Sequence, residues 1–235
     1  MRFERNVTSW PLWRIEQETL VDVRRLLPLS GIVFVALLVI PVVVLGGDTP
    51  DSDASGADVA SFYGDEVVRQ SSAAFLLAAS TPFLVFFASA LAAHLGLGVR
   101  HEHRPIWERV VLAGSAVTAA AAVVAALIHF ALVDGANNNA SPEALQALNV
   151  LDGNVWLPFN SGLGVMMLGA AGLLLTETRL PRWLGWVALV LGVGLFIPYV
   201  DFFALVVTLV WIVAASVMLY RGSSSADSAP ATVSG

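Results

Sequence analysis

Residues 183–220 read WLGWVALVLGVGLFIPYVDFFALVVTLVWIVAASVMLY. This is an apolar stretch too long for one upright crossing of a bilayer. It can be one long tilted helix or two helices back to back, and residues near its middle decide between them. Pro198 has no backbone N–H, and its ring clashes with the preceding helical turn. Tyr199, Val200 and Asp201 follow as a polar break. The stretch is therefore read as a tight hairpin of two spans, 183–199 and 202–220, with residues 198–201 at its tip.

Four more apolar runs lie N-terminal to this hairpin, at 27–46, 71–98, 110–133 and 155–175. A helix rising about 1.5 Å per residue needs roughly 20 apolar residues to cross a hydrocarbon core of about 30 Å. These runs meet that length, and 183–199 suffices for a thin or untilted crossing. Backbone exposed to lipid must be hydrogen-bonded within its own segment, which selects helices. The alternation of a membrane β-barrel is absent. The expected fold is an all-α, polytopic membrane helix bundle of six transmembrane helices.

Composition agrees. The chain is 57% hydrophobic and 13% charged, with mean hydropathy +0.77, whereas about a quarter of a soluble domain is charged. The net charge is −6, and no cationic cluster offers a face to a polyanion, so nucleic acid is not an expected partner. Without cysteine, disulfides, thiolate metal sites and thiol catalysis are excluded. The first apolar run starts late and lacks a small-residue cleavage site, so it reads as a retained span.

The cations give the orientation. All twelve are arginine, and arginine concentrates in cytoplasmic connections. Arg2, Arg5, Arg14, Arg24 and Arg25 precede span one. Arg100, Arg104 and Arg109 lie between spans two and three, Arg179 and Arg182 between four and five, and Arg221 follows span six. The alternate connections are acidic. The first carries Asp48, Asp51, Asp53, Asp58, Asp65 and Glu66 against Arg69 alone, and the second carries Asp134, Glu143 and Asp152 without a cation. Both termini are expected in the cytoplasm, and the compartment expected is the plasma (inner) membrane. Trp107, Trp183, Trp186 and Tyr220 fall at predicted cytoplasmic ends, with Trp156 and Tyr199 at outer ends, as interfacial aromatic belts require. Trp211 is the exception, in mid-span.

Outside the bundle, residues 1–26 are a cytoplasmic segment with a short interfacial helix beginning at Ser9, bearing Trp10, Trp13, Leu20 and Val21 on one stripe. The first outer loop opens as turns and becomes helical through ADVASFYGDEVVRQ. The second holds a short helix starting at Ser141, with Glu143 in its first turn. Residues 221–235 have the composition of a disordered tail.

Ionisable groups inside a span are the usual pointers to function, because each is costly to bury. No Asp, Glu or Arg lies clearly inside a span, which counts against ion-coupled transport. His94 and His129 sit near opposite faces, so they do not form a bis-histidine haem site. His101, Glu102 and His103 match no zinc spacing, and Asp48, Asp51 and Asp53 lack the glycine and closing glutamate of an EF-hand. No cofactor or metal is expected. Neither a GxSxG elbow nor an HExxH helix is present, so the reading leans away from an enzyme. The one concentration of polar groups is at the outer ends of the spans: His129, Asp152, Asn154, Asn160, Tyr199 and Asp201. Adjoining spans would make His129, Asn154, Asn160, Tyr199 and Asp201 an outward-facing ligand pocket, with Asp201 as the charge partner of His129.

Small residues let helices approach closely. Gly114, Thr118, Ala122 and Ala126 form such a stripe on span three, Ala188 and Gly192 on span five, and Gly162, Gly164, Gly169 and Gly172 lie on span four. These faces are expected inside the bundle or at a homo-oligomer or membrane-protein interface. Pro41, Pro82 and Pro158 are candidate kinks.

Three passages carry a family resemblance: GDTPDSDASGADVASFYGDE at 47–66, the asparagine-containing start of span four, and RLPRWLGWVALVLGV at 179–193. Together they resemble uncharacterised actinobacterial six-helix integral membrane proteins classed under a domain of unknown function. The resemblance implies a helical bundle in a bacterial cell membrane and transfers no activity. Function is therefore expected to be that of a non-enzymatic structural, sensory or assembly partner, in contact with the lipid bilayer. The alternative is a binder or transporter of a small lipophilic molecule through the outer polar groups.

Overall fold

A computed structural model describes residues 26–45, 49–96, 104–176 and 180–227. The expected interfacial helix in residues 1–25, and His101, Glu102 and His103, lie outside the described residues. The described residues are helical throughout, joined by turns and without a strand. The first rod, Leu27–Leu45, comprises a 3-10 turn at Leu27–Leu29, helix α1 at Ser30–Val39 and a π-helical turn at Ile40–Leu45. Next come α2 (Gly56–Asp65), α3 (Val67–Gly96), α4 (Arg104–Asn137), α5 (Pro142–Gly153), α6 (Trp156–Thr176), α7 (Arg182–Gly194) and α8 (Asp201–Asp227).

Five segments are long and apolar enough to cross a membrane: Leu27–Leu45, Val67–Leu95, Ile106–Asn137, Pro142–Thr176 and Asp201–Gly222. The fourth joins α5 to α6 across the turn at Asn154 and Val155. Helix α7 has 13 residues, which at about 1.5 Å each falls short of a hydrocarbon core of about 30 Å. Within 183–220, α7 ends at Gly194, residues 195–200 turn, and α8 begins at Asp201, so the break starts earlier than the expected tip at 198–201 and Asp201 is already helical. Helix α8 continues past Tyr220 to Asp227, into the segment expected to be disordered.

Local chemistry sets the helix ends. Ser55 and Ser141 have extended backbones, and their side chains accept hydrogen bonds from the N–H groups of Asp58 and Ala144. Each occupies one orphan donor of a first turn, worth about 1 kcal/mol. Pro41 and Pro82 behave differently. The Pro41 region widens into the π turn. Pro82 stays within α3, where the Thr81 hydroxyl donates to Ala78 O at 2.8 Å. That carbonyl is the acceptor Pro82 leaves without its i+4 N–H. Pro158 lies in the first turn of α6, where the missing N–H breaks no helical bond.

The long helices form a closed ring. In order around it, α1 packs on α3, α3 on α4, α4 on α6, α6 on α7, α7 on α8, and α8 returns to α1. The core runs through its middle, from Phe34, Phe87 and Leu91 to Leu163, Met166, Met167 and Ile212. Helices α4 and α6 approach backbone to backbone. A Cβ on Gly114 would collide with the backbone of Met166, and one on Gly162 with that of Thr118. The small-residue faces of spans three, four and five are thus largely used within the chain: Thr118, Ala122, Ala126, Ala188 and Gly192 are all buried. Trp211 is in mid-span because its indole N–H donates to Leu184 O at 3.1 Å, joining α8 to α7.

Helices α2 and α5 cap one end of the ring over a small core of their own, Val59, Tyr63, Leu132, Val133 and Leu145. The connection after α1 is fastened to this cap. Asn149 Nδ2 donates to Asp51 O at 2.8 Å, and Gln146 Nε2 donates to Ala54 O at 3.2 Å.

Candidate functional site

Beneath the cap lies a cavity of about 300 Å³, at the lower end of the ~300–1,000 Å³ typical of small-molecule sites. Alanines make it: Ala73 and Ala74 on α3 and Ala122 and Ala125 on α4 line it, where larger side chains would fill it. Leu38, Pro41 and Val42 form the wall on the first rod, the latter two from the π turn. Val155, Trp156 and Phe159 form the wall on α6 and the turn before it. The interior residues Ala74, Ala122 and Phe159 are buried, while Thr49, Val42 and Trp156 at the rim are exposed. π-helical turns recur at functional sites because they displace side chains from the regular helical register.

The polar end of the cavity is built on His129. Its Nδ1 lies 3.1 Å from Asp152 Oδ2, and its Nε2 lies 2.9 Å from Gln70 Oε1. The ring thereby joins α4 to α5 and to the first turn of α3. Tyr63 of α2 meets the imidazole edge to face, with ring centroids 5.5 Å apart. The Tyr63 side chain is fully buried, and its hydroxyl has no hydrogen-bond partner among the described residues. Burial, and after it the Asp152 carboxylate, hold the phenolic proton well above the usual tyrosine range. His129 and Asp152 line the cavity; the other carboxylate oxygen of Asp152 takes no hydrogen bond from a described residue.

The expected pocket resolves into two separate clusters. His129 pairs with Asp152, not with Asp201. Asn160 Nδ2 instead donates to Asp201 Oδ2 at 3.2 Å, tying α6 to the start of α8. Successive helical residues point about 100° apart, so Phe159 faces the cavity while Asn160 turns toward the hairpin. Asn160 Oδ1 is buried without a hydrogen-bond partner among the described residues. Asn154 caps the end of α5, its Nδ2 donating to Val150 O at 2.7 Å. Tyr199 stands at the hairpin tip, 93% exposed, with φ +68°. None of Asn154, Asn160, Tyr199 and Asp201 lines the cavity.

The sequence reading missed Gln70 and Tyr63. Gln70 is fully buried and lies one residue before the predicted start of span two. A polar amide at the head of an apolar run was the available signal. His94, at the opposite end, hydrogen-bonds Ala90 O of its own helix at 2.8 Å. No group of three metal-ligating side chains occurs among the described residues. The chain matches no family model, no curated protein and no solved structure.

Proposed function

We propose that the chain is a plasma-membrane protein of six crossings, with both termini in the cytoplasm, that binds a small lipophilic molecule in the cavity beside His129. The observation that carries this reading is the cavity itself: an alanine-lined hollow with His129 and Asp152 in its wall and exposed residues at its rim. The bacterial setting is supported by the family resemblance, which brings no activity with it.

The arginines support the sixth crossing. With α7 crossing, Arg179 and Arg182 share a side with Arg221, and the acidic loops lie opposite. With α7 confined to one leaflet, Arg221 would fall among the acidic connections. Residues 195–200 extend α7 toward the required depth, and a short hydrophobic segment is accommodated by local bilayer thinning. A structural, sensory or assembly role resting on the small-residue faces has less to stand on, since those faces pack within the chain.

The test is native mass spectrometry of the full chain released from lipid nanodiscs, compared with Ala125→Phe. Retention of a small lipophilic adduct by the wild type and its loss from a folded Ala125→Phe supports the reading. Equal adducts on both proteins would place any bound molecule elsewhere.

A further inference from the structure

We infer that the occupant is a lipophilic amine, bound as its ammonium ion with the head group on Asp152 and the hydrocarbon body among the alanines. This rests on the cavity being the binding site, as proposed above. Among the lining residues Asp152 is the one carboxylate, and none is arginine. Its Oδ2 is held by His129 at 3.1 Å, and its Oδ1 has no donor among the described residues. A carboxylate that lines an apolar chamber with one oxygen left without a donor accepts from N–H⁺, and such charge-assisted bonds are the stronger kind.

Competing head groups fit less well. A fatty-acid carboxylate or a phosphate would stand against Asp152 with no guanidinium among the lining residues to neutralise it. The nearby arginine, Arg69, is engaged: its Nε donates to Leu45 O at 2.6 Å, and its guanidinium lies 3.4 Å from Glu66. A neutral carbonyl head would need a donor from His129, yet both ring nitrogens already face acceptors, Asp152 and Gln70. Trp156 adds to the preference for a cation, since its partly exposed indole at the rim supplies a π face.

The surroundings point the same way. The segments on this side of the ring carry Asp51, Asp53, Asp58, Asp65, Glu66, Asp134 and Glu143 against Arg69, a net negative charge. A field of one sign around a mouth raises the local concentration of the opposite charge. Cations reaching the membrane surface here are gathered toward the cavity, and anions are repelled.

The experiment compares decylamine, decanol and decanoate, which share one hydrocarbon body, as competitors for saturable binding of radiolabelled decylamine. It uses the full chain in phosphatidylcholine nanodiscs at neutral pH, with empty nanodiscs as the partition control. The amine should bind at least about tenfold more tightly than either competitor, a difference of one decade in dissociation constant. Asp152→Asn should erase that preference. The wild-type series alone decides the matter should Asp152→Asn fail to fold. Equal binding of all three compounds, abolished by Ala125→Phe, would overturn the amine assignment and leave the cavity reading intact. Tighter binding of decanoate would likewise overturn it. Absence of saturable binding by any of the three, or binding untouched by Ala125→Phe, would bring down both.

Discussion

The imidazole Nδ1 of His129 and the carboxylate Oδ2 of Asp152 lie 3.1 Å apart, side chains 15% and 20% exposed. Residues distant in sequence thus lock a bundle helix to the cap above it. With Gln70 on the other ring nitrogen, His129 ties α4 at once to α3 and α5.

His129→Leu should therefore loosen the cap while leaving the ring helical. It removes the ring contacts to Gln70 Oε1 and Asp152 Oδ2, at a cost of about 1–3 kcal/mol. Partial water access to Asp152 favours the lower end. Denaturant titration in micelles should show the loss, and hydrogen exchange should rise in α2 and α5. Unchanged exchange in both helices would show that the cap is held without the His129 contacts.

Asn149→Ala removes the donors to Pro50 O and Asp51 O. The connection after α1 should then become susceptible to limited proteolysis between residues 49 and 55. The stability cost should be modest, about 1 kcal/mol per lost bond. A cleavage rate equal to that of the wild type would refute the fastening role.

Gly114→Leu should prevent folding, because the added side chain meets the backbone of Met166 where α4 and α6 touch. Gly64→Ala is the matched control. Its position in α2 has open space, and alanine gains up to about 1 kcal/mol over glycine in a helix. The yield of monodisperse protein should collapse for the first variant and hold for the second. Similar yields would contradict the close approach.

Trp211→Phe keeps most of the packing but deletes the indole donor to Leu184 O. Polar contacts between helices in membranes average about 0.6 kcal/mol, so a small drop in melting temperature is expected. A drop matching Trp211→Ala would mean that ring volume matters little beside the hydrogen bond.

Topology can be read with single cysteines, since the natural chain has none. A membrane-impermeant maleimide on intact cells should label Ser52→Cys and Tyr199→Cys and spare Gly222→Cys. Labelling of Gly222→Cys together with protection of Tyr199→Cys would mean that α7 does not cross.

Much of the fold was legible because lipid imposes simple rules. Apolar length marked the helices, and Pro198 followed by Asp201 marked the hairpin. Ser141 announced α5 through its capping chemistry. The cavity was not legible. His129 stood out as a polar group at the end of a span, but its partners lie 23 and 59 residues away. Several polar residues share its depth, and hydropathy does not report where they stand around the ring. Asp201 was the expected partner for that reason, and it pairs instead with Asn160. The π turn at Ile40–Leu45 was also hidden, since Pro41 signals a disturbance without specifying its form.

By itself the sequence determined that the chain is an all-helical bundle with long apolar helices, because hydrogen-bonding a backbone away from water depends only on local length and composition. The tertiary structure decided which faces meet: the closed ring, the use of the small-residue stripes within the chain, and the meeting of Gln70, His129 and Asp152 above a hollow left by alanines. Those outcomes follow from the rotation and packing of whole helices against one another, where a shift of one residue turns a side chain by about 100° and changes its neighbour.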